Sequence, residues 1–330
     1  MAASPFSDDA THPLRELLRE GRFRAVVEYF EQEAGVELGS RPDAQLLAAT
    51  AATRLGDLAL ATTLATAALR RFRARGDADG QMRAYNLLGA VHFERGRLRE
   101  AEAYFGEALD LACRLDDSLL AGHAFNNLGS VIGLRGRPGE AVGLYRGALS
   151  SYQRAGDRRG TAQTYHNLGL AFRQMAEWQE ADKAVTQAVR HAEFVGEASL
   201  MALTFTGRAE LRIDQGDIAV AGQELSRASL LAQRAGDAIG AAEVRRISAL
   251  LALKQGDADL AAAEAEAARA TAESHESALL LAECAALCAL AHRAGGRPAE
   301  AERRRDEALA GFAALGAARL AERFEAEWSA

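Results

Sequence analysis

Cys284, Cys288 and His292 stand at i, i+4 and i+8, which puts two thiols and an imidazole along one side of a helix, within the ligand chemistry of zinc. A structural zinc site takes four ligands, and three spread over two helical turns splay too far apart to close on one ion. They are read as packing groups, and no metal or other cofactor is expected. A second set of side chains consists of primary amides. Asn86, Asn126, Asn127 and Asn167 return in the wording Asn-Leu-Leu-Gly, Asn-Asn-Leu-Gly and His-Asn-Leu-Gly. Asparagine forms helices poorly because its side chain competes for backbone hydrogen bonds, so several at one helical offset need a reason. An amide both donates and accepts, which suits it to the N–H and C=O of an extended peptide or to a neighbouring helix.

Nothing else in the chain converges on catalysis. The sequence has no phosphate-cradling glycine loop, no His-Glu-x-x-His pair and no nucleophile elbow. The histidines, His123 and His166 among them, have no serine or cysteine partner suggested by their spacing, so no enzyme is expected. The run Arg303, Arg304, Arg305 reads as a solvated helix end.

The elements that carry these residues follow from a repeat. Gly89, Gly129 and Gly169 lie at steps of 40 residues, and the same slot continues as Ala49, Ala209, Ala249 and Ala289. A second series runs Gly56, Gly96, Gly136, Ala176, Gly216, Gly256 and Gly296. Alanines hold two more slots, from Ala61 to Ala301 and from Ala68 to Ala308. Small residues in lockstep at this period mean a repeat architecture. Each unit splits into two helical runs, with apolar and small residues at steps of three and four. Gly76-Asp77, Gly156-Asp157, Gly196-Glu197 and Gly236-Asp237 supply a left-handed stop followed by an acid that caps or charges the next helix start. Pro42 opens a first helix, and Pro138 and Pro298 open second helices, where the missing N–H costs nothing. Such pairs cannot bury their apolar faces alone and stack into a solenoid.

The run Tyr85-Asn86-Leu87-Leu88-Gly89, followed by Gly96, Glu100-Ala101 and Ala108, resembles the tetratricopeptide repeat. The longer spacing and the Asn-Leu-Gly wording are similar to the subclass in Pins-type spindle adaptors, kinesin light chains and bacterial peptide-sensing regulators. The resemblance implies an all-α, right-handed superhelix of seven to eight helix pairs with a C-terminal capping helix. The array is expected over residues 42–316, preceded by a disordered segment 1–12 and an atypical pair over 13–41. A last helix over 317–330 covers the end with Leu320, Phe324 and Trp328.

The same resemblance implies that first helices line a concave groove. It would display Arg83, Asn86, His123, Asn126, Asn127, Ser130, Gln163, His166, Asn167, Arg173 and Gln174. Farther along, the corresponding residues are Leu203, Thr206, Ile213, Arg246, Ile247, Leu250, Leu253 and Leu290, an apolar stretch after an amide-rich one. Two roles for the amides stay open, a grip on a peptide backbone and bonding between neighbouring helices.

Composition sets the remaining bounds. A net charge of −7 argues against a nucleic-acid footprint, and no apolar run is long enough for a membrane span. Three cysteines fit a reducing cytoplasm, and the excess of alanine and arginine suggests a GC-rich bacterial source. The expectation is a non-catalytic adaptor that binds a peptide or protein segment. The alternative is a sensor whose superhelix closes on a signalling peptide, and self-association is a further possibility.

Overall fold

The computed structural model describes residues 11–33 and 38–329. Of the segment 1–12, expected to be disordered, residues 1–10 lie outside the described residues, and the described part departs from that expectation because a helix already begins at His12. Thr11 is buried and leads into the first helix.

Seventeen α-helices account for nearly all the described residues. They are α1 (His12–Arg19), α2 (Phe23–Glu33), α3 (Pro42–Arg54), α4 (Leu58–Arg75), α5 (Ala78–Glu94) and α6 (Leu98–Arg114). Then come α7 (Ser118–Leu134), α8 (Pro138–Ala155), α9 (Arg158–Gln174), α10 (Trp178–Val195), α11 (Ala198–Asp214) and α12 (Ile218–Ala235). The series ends with α13 (Ala238–Gln255), α14 (Ala258–Ser274), α15 (Ala278–Ala294), α16 (Pro298–Leu315) and α17 (Ala318–Ser329). Each helix packs on the next, and first helices also touch first helices of adjoining units, which makes an all-α solenoid of eight pairs closed by a single helix. Among the described residues no helix is long and apolar enough to cross a membrane.

The glycine slot is a contact, not a hinge. A β-carbon at Gly89 would lie 2.6 Å from the Phe105 ring, one at Gly129 2.7 Å from the Tyr145 ring, and one at Gly169 2.6 Å from Val185 Cγ1. Each large side chain stands on the second helix of the same unit and uses the glycine as its socket. Where the slot is alanine the partner often shrinks: Ala49 shares a core cluster with Ala65, and Ala249 with Ala265.

Capping fixes the unit boundaries. Asp77, Asp117, Asp157 and Asp237 each accept the backbone N–H three residues on, at 2.8–3.1 Å. A cap of this kind stabilises its helix by about 1 kcal/mol. Glu197 makes no side-chain cap and instead takes both Nε and Nη2 of Arg159, at 2.9 and 3.3 Å. Between the helices of a unit the chain turns through the left-handed region, at Gly96 with φ 70° and at Ala176 with φ 58°.

The arginine run departs from the sequence reading. Arg303 is exposed, but all three residues lie within α16 rather than at its end. Arg304 bridges to Glu266 on α14 at 2.7 and 2.9 Å, and Arg305 reaches Glu325 on α17 at 3.1 Å. Long arginine stems packed along the helices carry their planar forks to carboxylates on neighbouring elements, so two of the three charges are tied rather than solvated.

The solenoid curls until distant units meet. At the α5–α6 turn, a β-carbon on Gly96 would run into the Leu315 side chain at the end of α16 and lie 3.7 Å from Ala278. One on Gly136, in the α7–α8 turn, would be 3.3 Å from Arg319 Cβ in α17, and Arg319 also donates to the Gln174 backbone carbonyl at 3.4 Å. The concave side is thereby closed over by the C-terminal end of the chain.

Candidate functional site

First helices line the inside of the curl, and the expected groove residues divide there into two groups. The first is a set of mutually bonded amides. Asn127 on α7 donates Nδ2–H to Asn86 Oδ1 on α5 at 3.2 Å, and Asn167 on α9 donates to Asn126 Oδ1 on α7 at 3.1 Å. Thr164 also donates to Asn126 Oδ1 at 3.1 Å, and Asn126 is buried, with 6% of its surface exposed. Ser130 stands beside them, donating to the Asn126 backbone carbonyl at 3.2 Å and accepting from the Tyr145 hydroxyl at 3.3 Å. Asn86, Asn127 and Asn167 remain half-buried.

The second group surrounds a cavity of about 470 Å³. Gln163, His166, Arg173 and Gln174 of α9 form one wall, and α11, α13 and α15 bring Leu203, Thr206, Arg246, Leu250 and Leu290. The helix α17 covers it with Leu320, Arg323, Phe324 and Glu327. Of the later residues expected in the groove, Ile213 and Ile247 are instead in the core, and Leu253 packs against it, because α11 and α13 turn those faces toward their neighbouring helices. Two earlier residues keep their own partners: Arg83 pairs with Asp79 at 2.7 Å and Asp43 at 3.5 Å, and His123 stands edge-on to Tyr152 at 5.5 Å.

Charge is concentrated in the cavity wall. Arg173 pairs with Glu210 at 2.9 Å and Asp214 at 2.8 Å, both on α11. Arg246 on α13 meets Glu243 at 2.8 Å, Glu283 of α15 at 3.6 Å and Glu210 at 3.9 Å. Desolvation opposes the charged forms, and the arginines outweigh it at Glu210, whose carboxyl is held below its ordinary range. Glu283 goes the other way: burial and the nearby Glu243 and Glu210 lift it to about 7 against Arg246 and Arg173. Burial pushes His166 down to about 4, so the imidazole is neutral near pH 7. Its Nδ1 is buried without a hydrogen-bond partner, as is Nε of Arg173. Buried ion networks of this kind are weak sources of stability, since desolvation cancels much of the attraction.

The acids were within reach of the sequence. Arg83, His123, Gln163, Leu203, Glu243 and Glu283 form one column at the 40-residue period, and Glu210 belongs to the column of Ser130. Continuing both columns through the last units finds them. The α17 residues continue the period, Arg323 following Glu283 and Leu320 following Leu280, but a column does not tell which distant part of the array they meet.

The zinc-type trio is dispersed among separate contacts. Cys284 and Cys288 are buried in two different apolar clusters, and burial pushes both thiols up. His292 Nδ1 accepts from Arg297 Nε at 2.9 Å.

Comparison with known proteins gives a consistent picture of the fold. The tetratricopeptide repeat family model matches residues 41–114 and 120–193. No curated protein sequence matches the chain. Among solved structures, the Rap conjugation gene regulator of the plasmid pLS20 in complex with the Phr* peptide aligns with a TM-score of 0.68 and 17% identity, over 82% of this chain and 73% of that one. Aspartyl phosphate phosphatase F from Bacillus subtilis aligns with a TM-score of 0.65 and 13% identity, over 92% and 84%. A Rap protein complexed with competence and sporulation factor gives 0.63 and 15%, over 96% and 97%. At these identities the likeness is one of fold.

Proposed function

The chain is a tetratricopeptide-repeat protein, and from that premise we propose that it is a non-catalytic adaptor that takes a peptide or protein segment into its concave side. The observation that carries the reading is the cavity itself. It is walled by first helices of four successive units, and its volume of about 470 Å³ lies within the roughly 300–1,000 Å³ range of ligand sites. Amides and charged groups converge there on an apolar floor of Leu203, Leu250 and Leu290.

The amide cluster continues the groove toward the N-terminus. Asn127 spends one N–H on a neighbouring asparagine and keeps a second. Asn167 directs its Nδ2 to Asn126 at 3.1 Å and to Ser130 Oγ at 3.5 Å, and both residues keep an acceptor oxygen. Half-buried, they offer those groups to a backbone passing over them. Bonding between helices and holding a peptide are compatible in this arrangement: the first orients the amides and the second uses what is left. The solved structures whose descriptions include a bound Phr* peptide or a competence and sporulation factor lend support by likeness of fold.

A sensor is the second reading, favoured by the contact of the α5–α6 turn with Leu315 and Ala278. A superhelix whose distant units touch has a discrete closed state, and a ligand in the cavity biases that state only through differential contacts.

The test is hydrogen exchange on the full chain, with and without a peptide taken from a partner identified by pull-down. Protection of α7, α9, α11 and α13 is expected. Protection confined to second helices, on the outside of the curl, would overturn the proposal.

A further inference from the structure

The cavity wall is out of electrostatic balance. Arg173 and Arg246 are the cations of its buried cluster, and Glu210, Asp214, Glu243 and Glu283 face them. Arg159, also in the wall, is already engaged by Glu197 at 2.9 Å. The carboxylates therefore exceed the arginines, and in a low-dielectric site such an excess favours an incoming cation. The protein supplies a partial one. Arg323 of α17 lies in the cavity lining, where its guanidinium helps hold Glu210 ionised, although it is shared with Glu327 at 3.0 Å. A second feature points to a ligand with a backbone. The Arg173 side chain is only 9% exposed, and its Nε–H has no acceptor, which a peptide carbonyl oxygen would provide.

We propose that the cavity recognises a basic side chain, seated against Glu283 and Glu210, and that Arg323 of α17 is its internal competitor at Glu210. This rests on reading the cavity as part of the peptide site. Glu283, lifted to about 7 by burial and by Glu243 and Glu210, is drawn back toward its ordinary range when a cation arrives, so binding releases a proton. Affinity then rises as pH passes upward through about 7.

The experiment uses the full chain and three acetylated, amidated pentapeptide mixtures whose central residue is arginine, citrulline or glutamate, the other positions being neutral. Retention at equilibrium should favour arginine over citrulline about 10-fold, the equivalent of one partly buried ion pair. Glu283→Gln should erase the preference for arginine over citrulline, and Arg323→Ala should strengthen it. If Glu283→Gln folds poorly, the wild-type pH profile takes its place: the arginine preference should grow between pH 6 and 8. Equal retention of arginine and citrulline peptides overturns the cation site and leaves the peptide groove standing. Agmatine binding with no peptide retained supports the cation site and sinks the peptide reading. No retention of any probe overturns both.

Discussion

Asn167 on α9 donates an N–H to the side-chain oxygen of Asn126 on α7, 3.1 Å away and one repeat earlier. The same oxygen takes the Thr164 hydroxyl at 3.1 Å, so Asn126 is a buried junction between two units. Asn126→Ala leaves Asn167 without that acceptor and should cost about 1–2 kcal/mol in thermal unfolding. Asn127→Ala removes a bond between two half-buried amides and should change stability by under about 0.5 kcal/mol. If Asn127 also grips a peptide, its loss should weaken peptide binding by about 0.5–1.5 kcal/mol. Measuring unfolding and peptide affinity on both variants separates the roles, and an Asn127→Ala protein that binds undiminished removes this residue from the site.

The glycine slot permits a sharper test by contrast. A β-carbon at Gly129 meets the buried Tyr145 ring at 2.7 Å, whereas one at Gly106, in the middle of α6, meets nothing within 4 Å. Gly129→Ala should therefore destabilise by about 1–3 kcal/mol through overpacking. Gly106→Ala should stabilise by about 0.5–1 kcal/mol, because alanine is the better helix former. Two melting curves decide it, and a shift of the same sign in both would refute the socket assignment.

Much of this fold is legible in the sequence, and the reason is that close packing constrains residue size. The slots held by Gly89, Gly129 and Gly169 must be small because Phe105, Tyr145 and Val185 fill them. The same logic explains why the wording fades where Ala249 meets Ala265. Once the socket and knob shrink together, glycine is no longer needed. The site was only partly legible. A column position tells which face a residue occupies, so Gln163, His166 and Arg173 could be placed on the inner side, where they line the cavity. The curl that carries Arg319 against Gly136 and lays Arg323 over the cavity comes from small rotations summed over many units, and no short stretch encodes it. Ion pairing was also hidden, since the Arg303, Arg304, Arg305 run looks alike in sequence but Arg304 reaches Glu266, Arg305 reaches Glu325 and Arg303 is exposed.

Ala176 gives a simple stability prediction. It occupies the turn slot that is glycine in the other six units and holds φ at 58°, exposed to solvent. Left-handed backbone costs an L-residue about 1–2 kcal/mol, part of which glycine returns through its freer unfolded chain. Ala176→Gly should raise stability by about 0.5–1 kcal/mol. The denaturant midpoint checks this, and a lower midpoint would mean that the alanine methyl makes a contact of greater worth.

The last prediction concerns pH and uses two groups whose effects have opposite sign. His166, 7% exposed, is pushed from the ordinary 6.5 down to about 4 by burial. A base depressed on folding is protonated less readily in the native state, so stability is lost as pH falls from about 6.5 toward 4. Glu283 is raised from 4.5 to about 7, so the native state binds its proton more tightly, and that contribution is present below about 4.5 and lost as pH rises through 7. Between pH 7 and 5 the two slopes oppose each other. Glu283→Gln should match wild type near pH 5, gain about 1–3 kcal/mol at pH 8, and so lose stability more steeply on acidification. His166→Gln loses packing over Gly207 at every pH, and its slope is the informative quantity: the acid loss between pH 6.5 and 5 should shrink. Glu210, held low by Arg173 and Arg246, adds its own acid loss in all three proteins, so differences between variants are read rather than absolute curves. Denaturant unfolding at pH 5, 6.5 and 8 measures them, and three parallel profiles would contradict the assignment of both groups.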